Sequence, residues 1–301
     1  MTITDRAKPA LAFLGLGYMG SRMAMRLAQA GYPLTVWNRD ADKAKPLADA
    51  GAKVAHSALE AVPGAEIIVS MLADDAAARA VLLGDSGAIA TLTQGQTLIE
   101  MSTLSPGLQR EIGTQARARG AQCLDCPVSG STPQAEQGQL VIFAGGEQPA
   151  FDTVKPILLQ LGQAAHFMGP SGSGAIMKLV VNALLGIGIQ AVAEGLALGE
   201  KAGLDRTVLI DTLAQTSVVT PAQKGKLENA RQDTYAPNFP LRLLFKDYGL
   251  VADEARAHSV PMPTLAAAQQ MCAVENARGE EEDMSAVIKL MRALSLGAGS
   301  G

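Results

Sequence analysis

The stretch Leu11-Ala-Phe-Leu-Gly-Leu-Gly-Tyr-Met-Gly20 predicts the architecture of the amino-terminal half of this chain. Its first four residues are an apolar run typical of a buried strand, and residues 21–30 after it have helical periodicity. Between them, Gly15, Gly17 and Gly20 match the pattern G-x-G-x-x-G. In a strand-turn-helix context the first glycine permits a tight turn, the second lets a pyrophosphate approach the backbone, and the third lets helix and strand pack closely.

We therefore expect this turn to bind a dinucleotide. The amino terminus of the following helix offers free amide groups and a positive partial charge to the phosphates. The intervening residues Leu16, Tyr18 and Met19 belong to the expected cofactor contacts. The alternative is a glycine-rich turn that binds no ligand.

Further apolar runs place this turn in a larger sheet. They occupy residues 34–37, 67–72, 97–100, 122–125 and 140–143, and they alternate with alanine-rich helical stretches. Near-continuous apolar runs are typical of strands covered on both faces, and helices between them make the crossovers of a parallel sheet. The pattern predicts an α/β, Rossmann-type, doubly wound and mostly parallel sheet. It leaves open whether the later strands include an antiparallel edge.

Helical patterns replace strands after residue 169. One long helix is predicted over residues 175–202, with further helices over 205–216, 246–258, 264–278 and 285–294 and no convincing strand. We therefore predict a dinucleotide-binding domain over residues 1–169 and an all-helical substrate and dimerisation domain over 170–301, joined by the long helix. That helix spans about 45 Å, longer than one small domain needs, so a homodimer or homotetramer is expected.

Composition narrows the function classes open to these 301 residues. Hydrophobic residues make up 48% and charged residues 18%, which excludes a disordered chain, and a formal net charge of −4 gives no reason to expect nucleic acid or an anionic membrane as partner. The uncharged apolar stretch of the predicted long helix, residues 179–193, is shorter than the about 20 apolar residues of a bilayer-spanning helix, so a buried helix is expected. Three cysteines and the absence of a secretory pattern predict a cytoplasmic location.

Several residues of chemically active types are predicted to be structural. Cys123 and Cys126 are formally C-x-x-C, but they flank a predicted strand instead of beginning a helix, which argues against a redox pair. With Cys272 and three histidines scattered elsewhere, no metal site is predicted. The sequence has neither a G-x-S-x-G elbow nor a Walker A loop, so a serine hydrolase and a P-loop enzyme have no support.

The residues after the second apolar run bear on which dinucleotide binds. An NAD site usually has an acid here to hold the ribose hydroxyls, whereas this chain has Asn38 and Arg39. An asparagine does not repel a 2′-phosphate, and a guanidinium can grip it and stack on adenine. We therefore expect NADP(H), with NAD as the second choice. Asp40 leaves the alternative of a ribose-binding acid one position late, and Arg39 that of a solvated loop charge.

One basic residue stands out on the predicted long helix. Lys178 and Asn182 are spaced i, i+4 and share a face, and the helix is otherwise uncharged through Ala193. A buried lysine is costly, and burial lowers the pKa of an ammonium group toward the range in which it exchanges a proton at neutral pH. The alternative is a lysine that extends to solvent at the helix start.

Four motifs in one order extend these observations to nearly the whole chain. They are Phe13-Leu-Gly-Leu-Gly-Tyr-Met-Gly20 with Met23-Ala24, Asp125-Cys-Pro-Val-Ser-Gly130 with Ala135 and Gly138, Gly174-Ala-Ile-Met-Lys178 with Asn182, and Lys246-Asp247. Together they resemble the cofactor, substrate and catalytic signatures and the late Lys-Asp pair of the β-hydroxyacid dehydrogenase family, which includes 3-hydroxyisobutyrate dehydrogenase and glyoxylate/succinic semialdehyde reductase.

The resemblance implies a role for each matching residue. Lys178 would be the general acid in reduction and the general base in oxidation, and Asn182 would position the reacting oxygen. Ser129 and Gly130 would bind the substrate carboxylate. The remaining implied contacts are Thr103 beside the nicotinamide ribose and the substrate, Met71, Leu72 and Ala73 along the adenosine side, Lys246 near the nicotinamide, Asp247 in support, and Phe239 with Ser131 and Leu243 shaping the substrate pocket.

Details of the motifs resemble one branch of the family. Ser131 stands where many members have a second glycine, and this form with Phe239-Pro-Leu241 and Asp283-Met-Ser-Ala-Val287 is most similar to glyoxylate/succinic semialdehyde reductases. The resemblance implies reversible, NADP(H)-dependent reduction of a small carboxylate-bearing aldehyde, and a lysine at position 178 favours carbonyl over imine chemistry. The alternatives are an NAD-dependent 3-hydroxyisobutyrate-type dehydrogenase and a catalytically silent dinucleotide-binding module.

Overall fold

A computed structural model describes residues 8–279 and 281–296 of the chain. The chain divides into two compact units, one ending at Lys178 and the other beginning at Leu179. This division falls inside the long helix, whereas the sequence places the domain boundary between residues 169 and 170, which stays a prediction.

The first unit is built on a nine-stranded sheet with the order β3-β2-β1-β4-β5-β6-β8-β7, in which β9 pairs with β8. The strands are β1 (Leu11–Leu14), β2 (Leu34–Trp37), β3 (Lys53–Val54), β4 (Ile67–Ser70), β5 (Thr97–Glu100), β6 (Gln122–Asp125), β7 (Val128–Ser129), β8 (Leu140–Gly145) and β9 (Gly162–Gly169). The run from β3 to β6 is parallel, while β8 pairs antiparallel with β6 and β7. The predicted mostly parallel sheet is confirmed, and the antiparallel edge left open by the sequence is present.

Side chains of the strands feed two separate cores, one on each face of the sheet. Leu11 and Phe13 join the first core cluster, and Ala12 and Leu14 join the second. Successive side chains of a strand point to opposite faces, so a strand buried on both sides must be apolar at every position. The covering helices are α1 (Gly20–Gln29), α2 (Lys45–Asp49), α3 (Ala58–Ala61), α4 (Asp75–Leu82), α5 (Pro106–Ala118), α6 (Thr132–Gln137) and α7 (Gln148–Leu161).

The same alternation separates the two cysteines of the C-x-x-C pattern. Cys123 belongs to the second core cluster and Cys126 to the first, so they lie on opposite faces. Burial raises the pKa of both thiols, which keeps them protonated. Neither thiol has the lowered pKa that a redox-active cysteine requires.

The second unit is helical. Helix α8 (Ser173–Lys201) runs into it from the first unit, followed by α9 (Arg206–Gln215), α10 (Pro221–Gln232), α11 (Leu241–Ala257), α12 (Pro263–Asn276) and α13 (Ala286–Leu296). Helix α10 is missing from the sequence-based prediction because it is polar and buries only Leu227 and Ala230. Helix α11 begins before the predicted residue 246, directly after Pro240, which supplies a natural start.

Helix α8 carries a stripe of exposed apolar side chains. Within the described residues it is the one helix long and apolar enough, by length and composition, to cross a membrane, and 39% of its most apolar window is buried. Ile176, Val180, Leu184 and Leu198 are exposed, and their spacing places them along one side of the helix. The sequence predicted a buried helix, and the described part of this single chain leaves the stripe exposed, since periodicity alone does not show which face the same chain covers.

Candidate active site

The glycine turn after β1 is shaped by steric constraints at two of its glycines. Gly15 has φ +98°, and a side chain there would collide with the carbonyl oxygen of Met71. A side chain at Gly20 would collide with the carbonyl oxygen of Gly15, so the helix approaches the turn as closely as its backbone allows. At Gly17, by contrast, a Cβ would meet no atom within 4 Å. The turn therefore has an open backbone surface at Gly17, in front of the amino terminus of α1.

Asn38 holds this turn in place. Its Oδ1 accepts a hydrogen bond of 2.8 Å from the backbone N–H of Leu16, and its Nδ2 donates one of 2.9 Å to the carbonyl oxygen of Asp40. Both polar groups of the Asn38 side chain are thus hydrogen-bonded to backbone groups, and one of these belongs to Leu16, 22 residues earlier in the chain. The sequence predicted Asn38 as a cofactor contact, whereas the structure gives its amide a supporting contact with the glycine turn.

The two neighbours of Asn38 differ in what they bind. Asp40 accepts a hydrogen bond of 3.1 Å from the backbone N–H of Asp42, and so caps the short 3-10 turn Ala41–Ala44. Arg39 is exposed at the carboxyl end of β2. One carboxylate oxygen of Asp40 is thus engaged within its own loop, and the selection of the dinucleotide by Arg39 stays a prediction.

Two more predicted cofactor segments follow β4 and β5 at the same edge of the sheet. The backbone N–H of Leu72 donates a hydrogen bond of 2.7 Å to Ser102 Oγ, which joins the segment of Met71 and Ala73 to that of Thr103. Carboxyl ends of parallel strands meet at one edge, which is the ligand-binding edge of doubly wound sheets. The open turn, the free end of α1 and these segments fit a nicotinamide dinucleotide, with phosphates at the turn.

Glu100, the last residue of β5, was not predicted. Its carboxylate is fully buried below Ser102 and accepts a hydrogen bond of 2.7 Å from Gln109 Nε2. Burial raises the pKa of Glu100 to about 7, although hydrogen bonds from Ser102 and Gln109 act in the opposite direction. A glutamate at the end of an apolar run is a weak signal in the sequence, because strand ends are often polar.

The predicted carboxylate-binding residues lie on a second turn of the first unit. Ser129 ends β7 and is half-buried, and Gly130 has φ +123°. A side chain at Gly130 would crowd Leu140 and Gln134. The backbone N–H of Ser131 is already bonded to Gln134 Oε1 at 2.9 Å. Ser131 therefore stabilises the start of α6, while the carboxylate contacts of Ser129 and Gly130 stay predictions.

A buried acid on β6 fixes the beginning of the long helix. Asp125 accepts hydrogen bonds from the backbone N–H groups of Gly172 at 2.8 Å and Ala175 at 2.9 Å. Burial raises the pKa of Asp125, and these backbone hydrogen bonds oppose the rise. Lys178 follows on the next turn and is only 9% exposed. The sequence left open whether this lysine extends to solvent, and the structure answers that it is buried.

Asn182 belongs to a polar cluster of the second unit. Its Nδ2 donates a hydrogen bond of 2.5 Å to Asp247 Oδ2, and Lys246 Nζ lies 3.0 Å from Asp247 Oδ1. A carboxylate only accepts hydrogen bonds, so it fixes which end of the amide faces it. Asn182 Oδ1 is buried and has no hydrogen-bond partner among the described residues. The cluster therefore presents one oriented acceptor that a ligand hydroxyl would satisfy.

Phe239 is held by its backbone. Its N–H donates a hydrogen bond of 3.0 Å to Asp283 Oδ2, and Lys226 Nζ lies 2.8 Å from the same oxygen. The charge of Lys226 lowers the pKa of Asp283. Asp283 thus fixes the segment before α11, which carries Lys246 and Asp247.

Both parts of the chain match known family models. Residues 10–169 match the NAD binding domain of 6-phosphogluconate dehydrogenase, and residues 172–291 match the NAD-binding domain of NADP-dependent 3-hydroxyisobutyrate dehydrogenase. The first match alone covers more than half of the chain.

Individual relatives give the same result. Glyoxylate/succinic semialdehyde reductase 2 of Arabidopsis thaliana is 37% identical, with 94% of this chain and 79% of that protein covered. The NAD-dependent L-serine dehydrogenase of Pseudomonas aeruginosa is 36% identical, with 93% and 97% covered. A solved 3-hydroxyisobutyrate dehydrogenase of Mycobacterium tuberculosis with L-serine is 29% identical, with a TM-score of 0.85 over 95% of this chain and 100% of that chain.

The open surface at Gly17 generates the first prediction. Gly17→Ala adds a methyl group where the phosphates are expected and where no protein atom is in the way, so we expect dinucleotide affinity to fall about tenfold or more with an unchanged melting temperature. Calorimetric titration with NADPH and thermal unfolding measure the two effects. Gly107→Ala, at another open position inside α5, is the control: it should leave the affinity unchanged, while its melting temperature is equal or higher. Wild-type affinity in Gly17→Ala would contradict the phosphate assignment.

Proposed function

Because the chain belongs to the β-hydroxyacid dehydrogenase family of oxidoreductases, we propose that it is an NADP(H)-dependent reductase of small carboxylate-bearing aldehydes. Succinic semialdehyde and glyoxylate are the proposed substrates, and the reaction runs reversibly on the matching hydroxyacids. The observation that carries the proposal is Lys178, a buried amine on the turn of α8 that follows its capped start.

A bound nicotinamide would supply the hydride. The chain itself makes three contributions to the proposed chemistry. Lys178 donates a proton to the carbonyl oxygen of the substrate as negative charge develops there, and takes the proton back in the reverse direction. Asn182, oriented by Asp247, positions that oxygen or its hydroxyl through the free Oδ1. Ser129 and Gly130 hold the carboxylate of the substrate.

Arg39 supports NADP(H) over NAD. Its guanidinium is exposed at the end of β2, where the acid of an NAD site usually stands, and Asp40 is engaged in capping the next turn. A guanidinium binds a phosphate with two parallel hydrogen bonds, which a ribose hydroxyl does not match. The second candidate is an NAD-linked dehydrogenase, since one relative is named an NAD-dependent L-serine dehydrogenase.

Removing the amine of residue 178 tests the catalytic proposal. Lys178→Met should lower kcat by about 10²- to 10⁴-fold because no other proton donor replaces it, while the Kd for NADPH stays unchanged. The assay is NADPH oxidation with glyoxylate and with succinic semialdehyde. Lys201→Met, at the exposed end of the same helix, is the matched control. Full turnover in Lys178→Met would contradict the proposed role, and no turnover in the wild-type protein with either substrate would favour a silent binding module.

A charge change at residue 39 tests the cofactor proposal. Arg39→Asp should raise the KM for NADPH about 10- to 100-fold, since it replaces a phosphate-binding cation with a repelling carboxylate, and should change the KM for NADH far less. Lys43→Asp makes the same charge change at an exposed position nearby and should leave the preference in place. An unchanged preference for NADPH in Arg39→Asp would overturn the assignment.

We also propose that a second copy of the chain covers the exposed stripe of α8. Ile176, Val180 and Leu184 form an exposed apolar strip on one side of α8, with Leu198 farther along the same side, and soluble proteins commonly bury such surfaces in symmetric homo-oligomers. Burial of the strip in a dimer would leave the polar residues Lys178 and Asn182 on the rest of the helix. A homodimer or homotetramer is therefore the proposed assembly.

A charge placed in the stripe tests the assembly. Leu184 is 70% exposed, so Leu184→Glu should cost the single chain little stability but should dissociate the oligomer, because the charge would be buried at the interface. Sedimentation velocity at micromolar concentration measures the oligomeric state of each protein. Leu159→Glu on α7, 44% exposed in the single chain, is the control and should leave the oligomer intact. A wild-type protein that sediments only as a monomer contradicts the proposal.

A further inference from the structure

We propose that Glu100 is a positioning residue of the cofactor site, which orders the segments after β4 and β5 through the hydroxyl of Ser102. The inference rests on the proposed function in one respect: the segments of Met71 to Ala73 and of Thr103 contact the dinucleotide. It assigns to a buried group outside the reaction a role in dinucleotide affinity and in its dependence on pH.

The carboxylate of Glu100 accepts hydrogen bonds from residues in three segments of the chain. Ser102 donates its backbone N–H, at 3.1 Å to Oε1 and 3.0 Å to Oε2, and also its hydroxyl to Oε1. Gln109 Nε2 on α5 donates to Oε2 at 2.7 Å, and Ser70 Oγ at the end of β4 lies 3.4 Å from Oε1. All these donors are uncharged. An ionised carboxylate accepts all of them, whereas a protonated one presents a hydrogen to donors and loses part of the set.

Ser102 passes the effect of the carboxylate to the neighbouring segment. Its hydroxyl has a single hydrogen, which it donates to Glu100, so its lone pairs face the backbone N–H of Leu72 at 2.7 Å. The carbonyl oxygen of the preceding residue, Met71, lies so close to Gly15, the first glycine of the turn, that it would collide with a side chain there. A continuous path of contacts therefore joins Glu100 to two cofactor segments and to the glycine turn.

Stability alone gives no reason for an acid at this position. An ionised carboxylate without a paired cation is expensive to bury, and here burial raises the pKa of Glu100 to about 7. The acid therefore binds a proton more strongly in the folded than in the unfolded state, so ionising it above neutral pH costs stability and the cost is relieved as the pH falls. A glutamine would fill the same space without that cost.

The titratable groups that face Glu100 come from the neighbouring β6 and the residue directly after it. Cys123 on the neighbouring β6 and Cys126 directly after it interact with Glu100, and burial raises the pKa of both thiols. Asp125 is the partner of Glu100 in the β5–β6 register and is capped by backbone amides of α8. Ser70 and Gln109, the partners from β4 and α5, do not titrate. Because burial also raises the pKa of Asp125, the step assigned to Glu100 is the one that disappears in Glu100→Gln.

The variant Glu100→Gln distinguishes an effect on the positioning of the cofactor segments from an effect on the stability of the protein. We expect NADPH affinity at about pH 8 to fall about tenfold, because the introduced amide cannot accept from both Ser102 and Gln109, while the melting temperature is equal or higher. Wild-type affinity should weaken as the pH drops through about 7, and this step should vanish in the variant. Calorimetric titration and thermal unfolding across the pH range read both effects, with no need for turnover.

Ser102→Ala and Ser70→Ala complete the design. Ser102→Ala breaks the path to Leu72 and removes one donor from the carboxylate, while residue 100 itself is unchanged. It should therefore lose affinity to a similar extent, and it keeps the inference testable if Glu100→Gln does not fold. Ser70→Ala removes only the longest contact of Glu100 and should bind NADPH as the wild-type protein does. Wild-type affinity and an unchanged pH profile in Glu100→Gln, or wild-type affinity in Ser102→Ala, would overturn the inference. A wrong cofactor proposal would show itself differently, as wild-type protein that binds NADH better than NADPH.

Discussion

The hydrogen bonds between Asp125 and the start of α8 are the contact on which the arrangement of the candidate site depends. The first amide groups of any helix lack partners within the helix, and here a buried carboxylate at the end of β6 accepts two of them, from Gly172 and Ala175. A negative group also suits the positive end of the helix dipole. Gly174 has no room for a side chain between the carbonyl oxygens of Asp125 and Phe143. The beginning of the helix that carries Lys178 is thus tied to the sheet.

The sequence was sufficient for those parts of the fold in which one local pattern has one structural solution. Runs such as residues 11–14 predicted strands buried on both faces, and the alternation of Leu11 and Phe13 with Ala12 and Leu14 between two cores gives the reason. It failed where an element has little to bury. Strand β3 is two residues long with both side chains exposed, and α10 is held by Leu227 and Ala230 among polar residues. No pattern of apolar residues marks such elements.

For the site, spacing along the chain found residues but not their partners. The i, i+4 pair of Lys178 and Asn182 is visible in the sequence, yet the carboxylate that orients Asn182 is 65 residues away in Asp247. Asn38 likewise has a type that suits a ligand, but its hydrogen bonds go to the glycine turn and to its own loop. Glu100 was missed for the same reason, since only the folded sheet brings Ser70 and Gln109 to it. Residue type predicts the chemistry of a group, and long-range contacts decide whether that chemistry is available to a ligand.

This distinction explains how a chain with a net charge of −4 has an edge suited to an anionic cofactor. Two acids at that edge accept hydrogen bonds from groups of the protein itself. Glu100 accepts from Ser102 and Gln109, and Asp40 caps a turn. The open backbone at Gly17, the amino terminus of α1 and the exposed guanidinium of Arg39 are left facing outward. The carboxylate of Glu100 is buried and bonded to neutral donors, and the exposed Asp40 accepts a hydrogen bond from the next turn. The groups at this edge that suit a phosphate are therefore amide groups and the guanidinium of Arg39. Local hydrogen bonding, and not net charge, therefore determines what this edge of the sheet can bind.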